Sequence, residues 1–358
     1  MKRVGNLYAE ICSMDNLKLA HKQARKGKGF YQEVKMVNED PAYYLGELQD
    51  MLVNHTYHTS EYDIFEKQEG KKLRKIYKLP YFPDRICQWA ILQVIEKYLI
   101  RNMTADTYSA IPGRGTELAR RRVIKAMRND PVGTQWCLKI DVRKYYPSID
   151  IDILKAKYRR LFKDPELLWL LDEILDSCPD TGVPIGNYIS QYSGNIYLSD
   201  FDHYVKEKLG VKHYFRYMDD MVFFASSKEE LQQLIVEITR YMREELHLEV
   251  KESWSLFRVE DRGLDFVGYV FTHDNIRLRK TIATSLKRVS STIKWRVNQG
   301  MMINRKLYFA INSLCGWLKH SYSNWLRIKY VDVIWDYVEE YHDRVLVDKG
   351  GKVYAEAA

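Results

Sequence analysis

Nowhere in the 358 residues does an apolar run approach the ~18–20 positions that a membrane-spanning helix requires. Lys2 and Arg3 open the chain but no apolar stretch follows them, so no secretory leader is expected. Cysteine is scarce: five residues, at positions 12, 87, 137, 178 and 315, with no Cys-x-x-Cys pair. An odd, scattered set argues against a disulfide framework and a zinc site, and a reducing cytoplasm is the expected compartment. Internal repeats, low-complexity tracts and flexible linkers are absent as well. Acidic residues are missing altogether from Arg277 to Lys329, a 53-residue stretch that holds twelve Lys or Arg. The net charge of the chain is +8, so this stretch carries +12 and the remainder sums to −4. Solvated helix faces normally mix both signs, and a basic run without an acid points to a polyanion. Trp295, Tyr308, Phe309, Trp317, Tyr322 and Trp325 are interleaved with the cations. Leu307, Phe309, Ile311, Leu314 and Leu318 recur at helical spacing and read as core, leaving other rings to stack on sugars or bases.

What the chain does have is 46% hydrophobic and 29% charged residues, an ordinary globular composition with length enough for two or three lobes. Its most informative segment is Arg216-Tyr217-Met218-Asp219-Asp220-Met221, flanked by His213-Tyr214-Phe215 and Val222-Phe223-Phe224. Two adjacent carboxylates at the tip of an apolar hairpin repel one another, and a divalent cation relieves that cost. Upstream, Trp136, Leu138, Ile140 and Val142 share one face of a strand, while Cys137, Lys139 and Asp141 share the other. Asp141 therefore ends a strand pointing away from the apolar set. With Asp219 and Asp220 it supplies the carboxylates for two metal ions roughly 3.5–4 Å apart, one activating a 3′-hydroxyl and one holding a leaving pyrophosphate.

Four elements in order carry a resemblance to reverse transcriptases. Leu138 through Tyr146 is similar to their first palm motif, and Tyr217-Met218-Asp219-Asp220 matches the YxDD box. Gly182-Val183-Pro184-Ile185-Gly186-Asn187-Tyr188-Ile189-Ser190-Gln191 resembles the motif between them, and Gly263 to Tyr269 resembles the hairpin that grips the primer. The similarity runs from about residue 70 to residue 275. Where most relatives read Gln-Gly-x-x-x-Ser-Pro, this chain has Ile185 and Gln191 in the Gln and Pro places, a variant that resembles the reverse transcriptases of diversity-generating retroelements. Leu248 to Trp254 also resembles that lineage. Trp254 stands where intron enzymes carry a Lys, which leaves Lys251 as the candidate for a proton donor there.

The resemblance implies an α+β, right-hand polymerase fold: fingers over residues 1–135, an antiparallel-sheet palm over 136–275 (about 150–185 partly fingers), a helical thumb over 276–345 and a frayed tail over 346–358. No further nuclease domain is expected, since one would need more than the ~30 residues that follow the basic stretch ending at Lys329. Asp141, Asp219 and Asp220 are the expected catalytic residues, holding two Mg²⁺ ions (Mn²⁺ as a substitute) together with the Val142 main chain. Lys75 and Arg85 are expected to neutralise a triphosphate, since Arg offers a fixed fork of donors to phosphate oxygens. Tyr146, five residues beyond Asp141, aligns with the ring that blocks a 2′-hydroxyl. Ile185, Gly186, Ser190 and Gln191 are expected to line the nucleotide and template pocket. Arg114, in Ile111-Pro112-Gly113-Arg114-Gly115, is expected on nucleic acid, as are Lys280, Lys287, Arg288, Lys294, Arg296, Trp317 and Lys319. Substrates would be dNTPs on a primer–template. A template-repeat RNA copied into cDNA, error-prone at adenines, and a small basic oligomeric accessory protein are the implied partners. A retron-like or phage-defence reverse transcriptase, and an RNA-binding scaffold without catalysis, are the rival readings; the intact carboxylate triad counts against the scaffold.

Locally, Pro83-Asp84-Arg85 starts a helix that buries Ile86, Ala90, Ile91, Val94, Ile95 and Leu99. Either Ser148 or Asp150 caps a helix that runs to about Leu161. Ser227-x-x-Glu230 is a capping box for a helix with apolar positions 231, 234, 235, 238, 241 and 242. Residues 1–70 read as mixed helix and loop. Helices are expected on one face of the palm sheet.

Overall fold

Consecutive apolar residues such as Tyr214-Phe215 and Val222-Phe223-Phe224 make central strands that are buried on both faces, and their register decides where the acids fall. The computed structural model describes residues 2–70 and 72–347. Strands β1 (Asp63–Glu69) and β2 (Lys72–Lys78) form an antiparallel hairpin. Strands β3 (Trp136–Asp141), β4 (His213–Tyr217), β5 (Asp220–Ala225) and β6 (Ser255–Arg258) form an antiparallel sheet in the order β4-β5-β3-β6. A meander of β7 (Leu264–Phe266), β8 (Tyr269–Phe271) and β9 (Ile276–Leu278) stands beside it. This is the expected α+β architecture.

On one face of the main sheet, Leu138, Ile140, Tyr214, Met221 and Phe223 are buried against helices Ile86–Arg101, Ile151–Leu161, Tyr188–Tyr197 and Lys228–Leu246. Ser227 caps the helix, accepting from Glu230 N at 3.2 Å, while the Glu230 carboxylate accepts from the Ser226 and Ser227 hydroxyls rather than closing a full box. Leu231, Ile235, Ile238, Met242 and Leu246 form the buried stripe. Asp150, not Ser148, caps the helix to Leu161, accepting from Asp152 N and Ile153 N. The other face departs from expectation. Cys137, Val222, Phe224 and Phe257 bury into a second core with the meander and helices Thr116–Asn129, Lys280–Asn298 and Arg305–Leu318. Only beyond this second core do Lys139 and Asp141 emerge half-exposed, so the acids sit at the rim of a sheet that is covered on both sides.

Strand β1 was not expected in a region read as helix and loop. Ile64 and Phe65 are both exposed, so its residues lack the one-sided apolar alternation that marks a strand; pairing with β2 makes it one. Four helices precede it, at Tyr8–Cys12, Met14–Ala24, Gln32–Glu39 and Pro41–Val53. Among the described residues no helix is long and apolar enough to cross a membrane. Lys71 and, within the expected frayed tail, residues 348–358 lie outside the described residues.

Candidate active site

Strand β4 ends at Tyr217 and β5 begins at Asp220, which leaves Met218 and Asp219 as a two-residue hairpin loop. Met218 has φ +59°, a conformation that costs a non-glycine residue roughly 1–3 kcal/mol and persists only where neighbours enforce it. Antiparallel pairing of β3 with β5 sets Asp141 opposite Asp220. Three acids separated by up to 79 positions in the chain thus meet at one sheet end.

Burial, reinforced by the neighbouring Asp141, pushes the Asp219 carboxyl up to about 7. Burial also raises the Asp220 carboxyl, against the pull of Lys139, whose Nζ lies 3.1 Å from Asp220 Oδ2. Lys251 donates to Asp141 Oδ2. The remaining oxygens, Asp141 Oδ1 and Asp220 Oδ1, are buried with no hydrogen-bond partner. Buried carboxylate oxygens without donors are the chemistry a hard cation satisfies. Among the described residues, no three His, Cys, Asp or Glu side chains form a ready-made cage. The two unpartnered oxygens fit an ion that takes the rest of its shell from water and substrate oxygens. Val142 is fully buried and bridges to Val250, directly behind the acids.

The raised Asp219 carboxyl makes a stability prediction with a definite sign. Its folded pKa exceeds the unfolded value of 3.8, so its contribution is complete below that pH and lost as pH rises through about 7. The Tm of metal-free protein should fall more steeply from pH 5 to pH 8 than that of Asp219→Asn, and a divalent cation should recover the loss at pH 8. Parallel slopes in the two proteins would refute the assignment.

Sequence reasoning passed over Lys139 and Arg279. Lys139 reaches the carbonyl of Asp265 as well as Asp220, and Arg279 Nε donates to Asp265 Oδ1 at 2.6 Å. Both line a cleft of about 420 Å³ beside Asp141, with Trp254, Arg262 and Asp265. The signal for Lys139 was present, since it shares the strand face of Asp141.

On the other side of the acids, Tyr146 lies against the Met218–Asp219 turn, its hydroxyl 3.4 Å from Met218 Sδ. Tyr77 N donates to Ile185 O at 2.8 Å, which ties the 182–191 loop to β2. A Cβ on Gly186, at φ +134°, would overlap the Tyr77 carbonyl oxygen, so only glycine permits this approach. Ile185 is half-exposed and Gln191 exposed. Ser190, expected to face the pocket, is buried and donates to Pro184 O at 2.7 Å; it closes its own loop. Lys75 forms an ion pair of 2.5 Å with Asp180, which also accepts from Tyr77. Arg85 is half-buried with Nε unpartnered, in a cleft of about 140 Å³ with Phe65, Lys78, Gln88, Asn187 and Tyr188. Burial lowers the pKa of its guanidinium, opposed by Tyr81, Tyr188 and Tyr31.

Two expected nucleic-acid contacts are directed inward instead. Arg114 donates to the carbonyls of Thr104 and Thr107 at 2.6 and 2.9 Å, because the Gly113–Gly115 turn folds it back onto its own segment. Trp317 packs on the Gly268–Tyr269 turn, its carbonyl accepting from the Tyr269 hydroxyl, so the ring joins helix Arg305–Leu318 to the meander. The others are outward. Lys280, Lys287 and Lys294 recur every seven residues along one helix and are exposed, as are Arg288, Lys319 and the ring of Trp295. Arg296 is half-exposed and donates to Met302 O.

An antiparallel sheet with its acids at one rim, flanked by a β-hairpin and a basic helical region, defines a right-hand polymerase fold. A model of the reverse transcriptase (RNA-dependent DNA polymerase) family matches residues 65–271, more than half of the chain. The protein belongs to that family, whose domains use divalent metal ions. Over 156 residues it is 28% identical to Protein YkfC of Escherichia coli (strain K12), covering 40% of each chain. Over 106 residues it is 26% identical to Nuclear intron maturase 1, mitochondrial, of Arabidopsis thaliana, covering 29% of this chain and 14% of that one. The matched region thus spans well under half of either curated relative. In fold it is similar to apo telomerase from Candida tropicalis, with TM-score 0.51 over 86% of this chain and 64% of the telomerase. At 13% identity that likeness is one of architecture.

Proposed function

We propose that the protein is an RNA-directed DNA polymerase that extends a primer with dNTPs on an RNA template. The observation that carries this is the meeting of Asp141, Asp219 and Asp220 with two carboxylate oxygens buried and unpartnered. Residues 1–135 act as fingers, 136–275 as palm and 276–345 as thumb. The three acids hold two Mg²⁺ ions, which when bound supply charge neutralisation for a pyrophosphate leaving group and a lowered pKa for the attacking hydroxyl. The protein's own part is mainly positioning. Lys75 and Arg85 face the triphosphate, Lys75 exchanging its Asp180 partner for phosphate. Tyr146, packed beside the turn that carries Asp219, excludes a 2′-hydroxyl by bulk. Primer extension on an RNA template with dNTPs and Mg²⁺ tests the reading; RNA binding without any extension would leave only a scaffold.

The exposed lysine row on helix Lys280–Asn298 tracks the backbone of the primer–template. Replacing Lys280, Lys287 and Lys294 together by Ala should weaken binding equally for unrelated sequences. It should also flatten the slope of log affinity against log salt by about 2–3, at roughly 0.7–0.9 per phosphate contact. Binding by filter retention across salt concentrations checks this, and an unchanged slope would remove the row from the interface.

Ile185 and Gln191 support the finer reading: a diversity-generating retroelement enzyme that copies a template-repeat RNA into cDNA with errors at adenines, in the cytoplasm, with a small basic oligomeric accessory protein. A Gln in place of Ile185 can hydrogen-bond the nucleotide, whereas an aliphatic branch cannot. A hydrogen bond of roughly 0.5–1.5 kcal/mol would widen the gap between matched and mismatched nucleotides. Ile185→Gln should therefore reduce misincorporation opposite template adenine several-fold in sequenced cDNA. An unaltered error spectrum would count against this account.

A further inference from the structure

Beneath the catalytic turn lies a polar cluster that none of the roles above uses. Arg216 and Asp202 both have side chains with 0% exposure, and they pair through two bonds: Nε to Oδ1 at 2.7 Å and Nη2 to Oδ2 at 2.5 Å. Asp202 is further satisfied by the Tyr214 hydroxyl at 2.7 Å and Thr107 Oγ1 at 2.9 Å. The fork leaves Nη1 free of the carboxylate. It donates to two acceptors, Asn195 Oδ1 and the main-chain oxygen of Met218, each at 3.1 Å. Asn195 is itself buried and clamped, its Nδ2 donating to Ser109 O at 2.7 Å.

The Met218 carbonyl is the informative acceptor. Met218 is the positive-φ residue of the catalytic hairpin, and Asp219 follows it directly. A hydrogen bond to a charged donor is stronger than one between neutral groups and comparable with what such a backbone conformation costs. Arg216 is thus strong enough to hold the turn in its strained form, and a neutral donor would be marginal. Asn195 aims the guanidinium from helix Tyr188–Tyr197, one helical turn beyond Gln191.

We infer that Arg216 and Asn195 are positioning residues that hold the Met218–Asp219 turn in the conformation that presents Asp219 to a divalent cation. The inference deepens the proposed function, resting on its assignment of the three acids to metal. Arg216 touches neither cation nor nucleotide; it acts through the turn.

Asn195→Ala tests this with the Arg216–Asp202 pair intact. Mn²⁺ alone, titrated into the protein without nucleic acid and followed by the rise in Tm, should require at least fivefold more cation to reach half effect. In primer extension the half-saturating Mg²⁺ concentration should rise alongside, kcat should fall and the KM for dNTP should stay within twofold. A packing role would lower the Tm and the active fraction without moving the cation midpoint, and that result would overturn the inference. Arg216→Lys, which keeps the charge but loses the fork, is the second variant and should shift the midpoint further. Should wild-type protein bind Mn²⁺ but extend no primer, the polymerase reading fails while the shifted midpoint still upholds the positioning role. A midpoint unchanged in Asn195→Ala, with polymerisation intact, removes the positioning role alone.

Discussion

Asp219→Asn should abolish primer extension, by about 10³-fold or more, and at the same time raise the Tm of the metal-free protein at pH 8. The two effects have one cause. Burial and the neighbouring Asp141 hold the Asp219 carboxyl near neutral pKa, so its ionised form is a liability to the empty fold. The amide keeps the size of the side chain and removes the charge. Asp141→Asn and Asp220→Asn should lose activity to a similar degree, yet each strands an ammonium, Lys251 or Lys139, that the carboxylate now partners. Those two variants should therefore lack the gain in stability. Steady-state extension assays and thermal melts with and without Mg²⁺ measure both quantities. Activity surviving in Asp219→Asn would break the assignment of the site.

The second large effect should come from Gly182→Ala. Gly182 has φ +81°, and a Cβ there would overlap the Tyr146 carbonyl oxygen and lie 2.6 Å from the Pro147 carbonyl. Both neighbours are backbone, with no flexible side chain to swing aside. The loop must lift, breaking the 2.9 Å bond from Val183 N to Tyr146 O. Strain and the lost bond together should cost roughly 2–4 kcal/mol, visible in chemical unfolding. Because Tyr146 is the other side of that contact, ribonucleotide exclusion should weaken too. Misincorporation of rNTPs in single-nucleotide extension reads this directly, and wild-type selectivity in a destabilised variant would separate the ring from the loop.

Much of the site was legible because its signals are local. Adjacent acids between aromatic strands announce a hairpin tip, and a strand's two-residue period places Asp141 on the polar face. The cap at Ser227 and the stripe from Leu231 to Leu246 fixed a helix in the same way. The remainder depends on where long side chains reach, which no periodicity encodes. Lys75 meets an acid 105 positions away, and Arg114 turns back to carbonyls 10 and 7 positions behind it. Trp317, read from its basic surroundings as a stacking ring, finds a glycine turn to pack on. Arg216 was the hardest of all, since a charged residue reads as surface until the fold supplies a buried acid to receive it. Cys137 misled for the complementary reason: one small apolar residue on a polar face gave no hint of the second core beneath it.

The join between Tyr77 and the Ile185–Gly186 segment has a mechanical consequence. With the main chains in direct hydrogen bond and no Cβ to space them, the β1–β2 hairpin and this loop are tied to one another. On the proposed reading, a swing of the hairpin that admits the next monomer drags the loop, and with it the surface assigned to the incoming base. Opening and inspection of the incoming letter then become one stroke, and a change that stiffens the hairpin should alter accuracy and speed together.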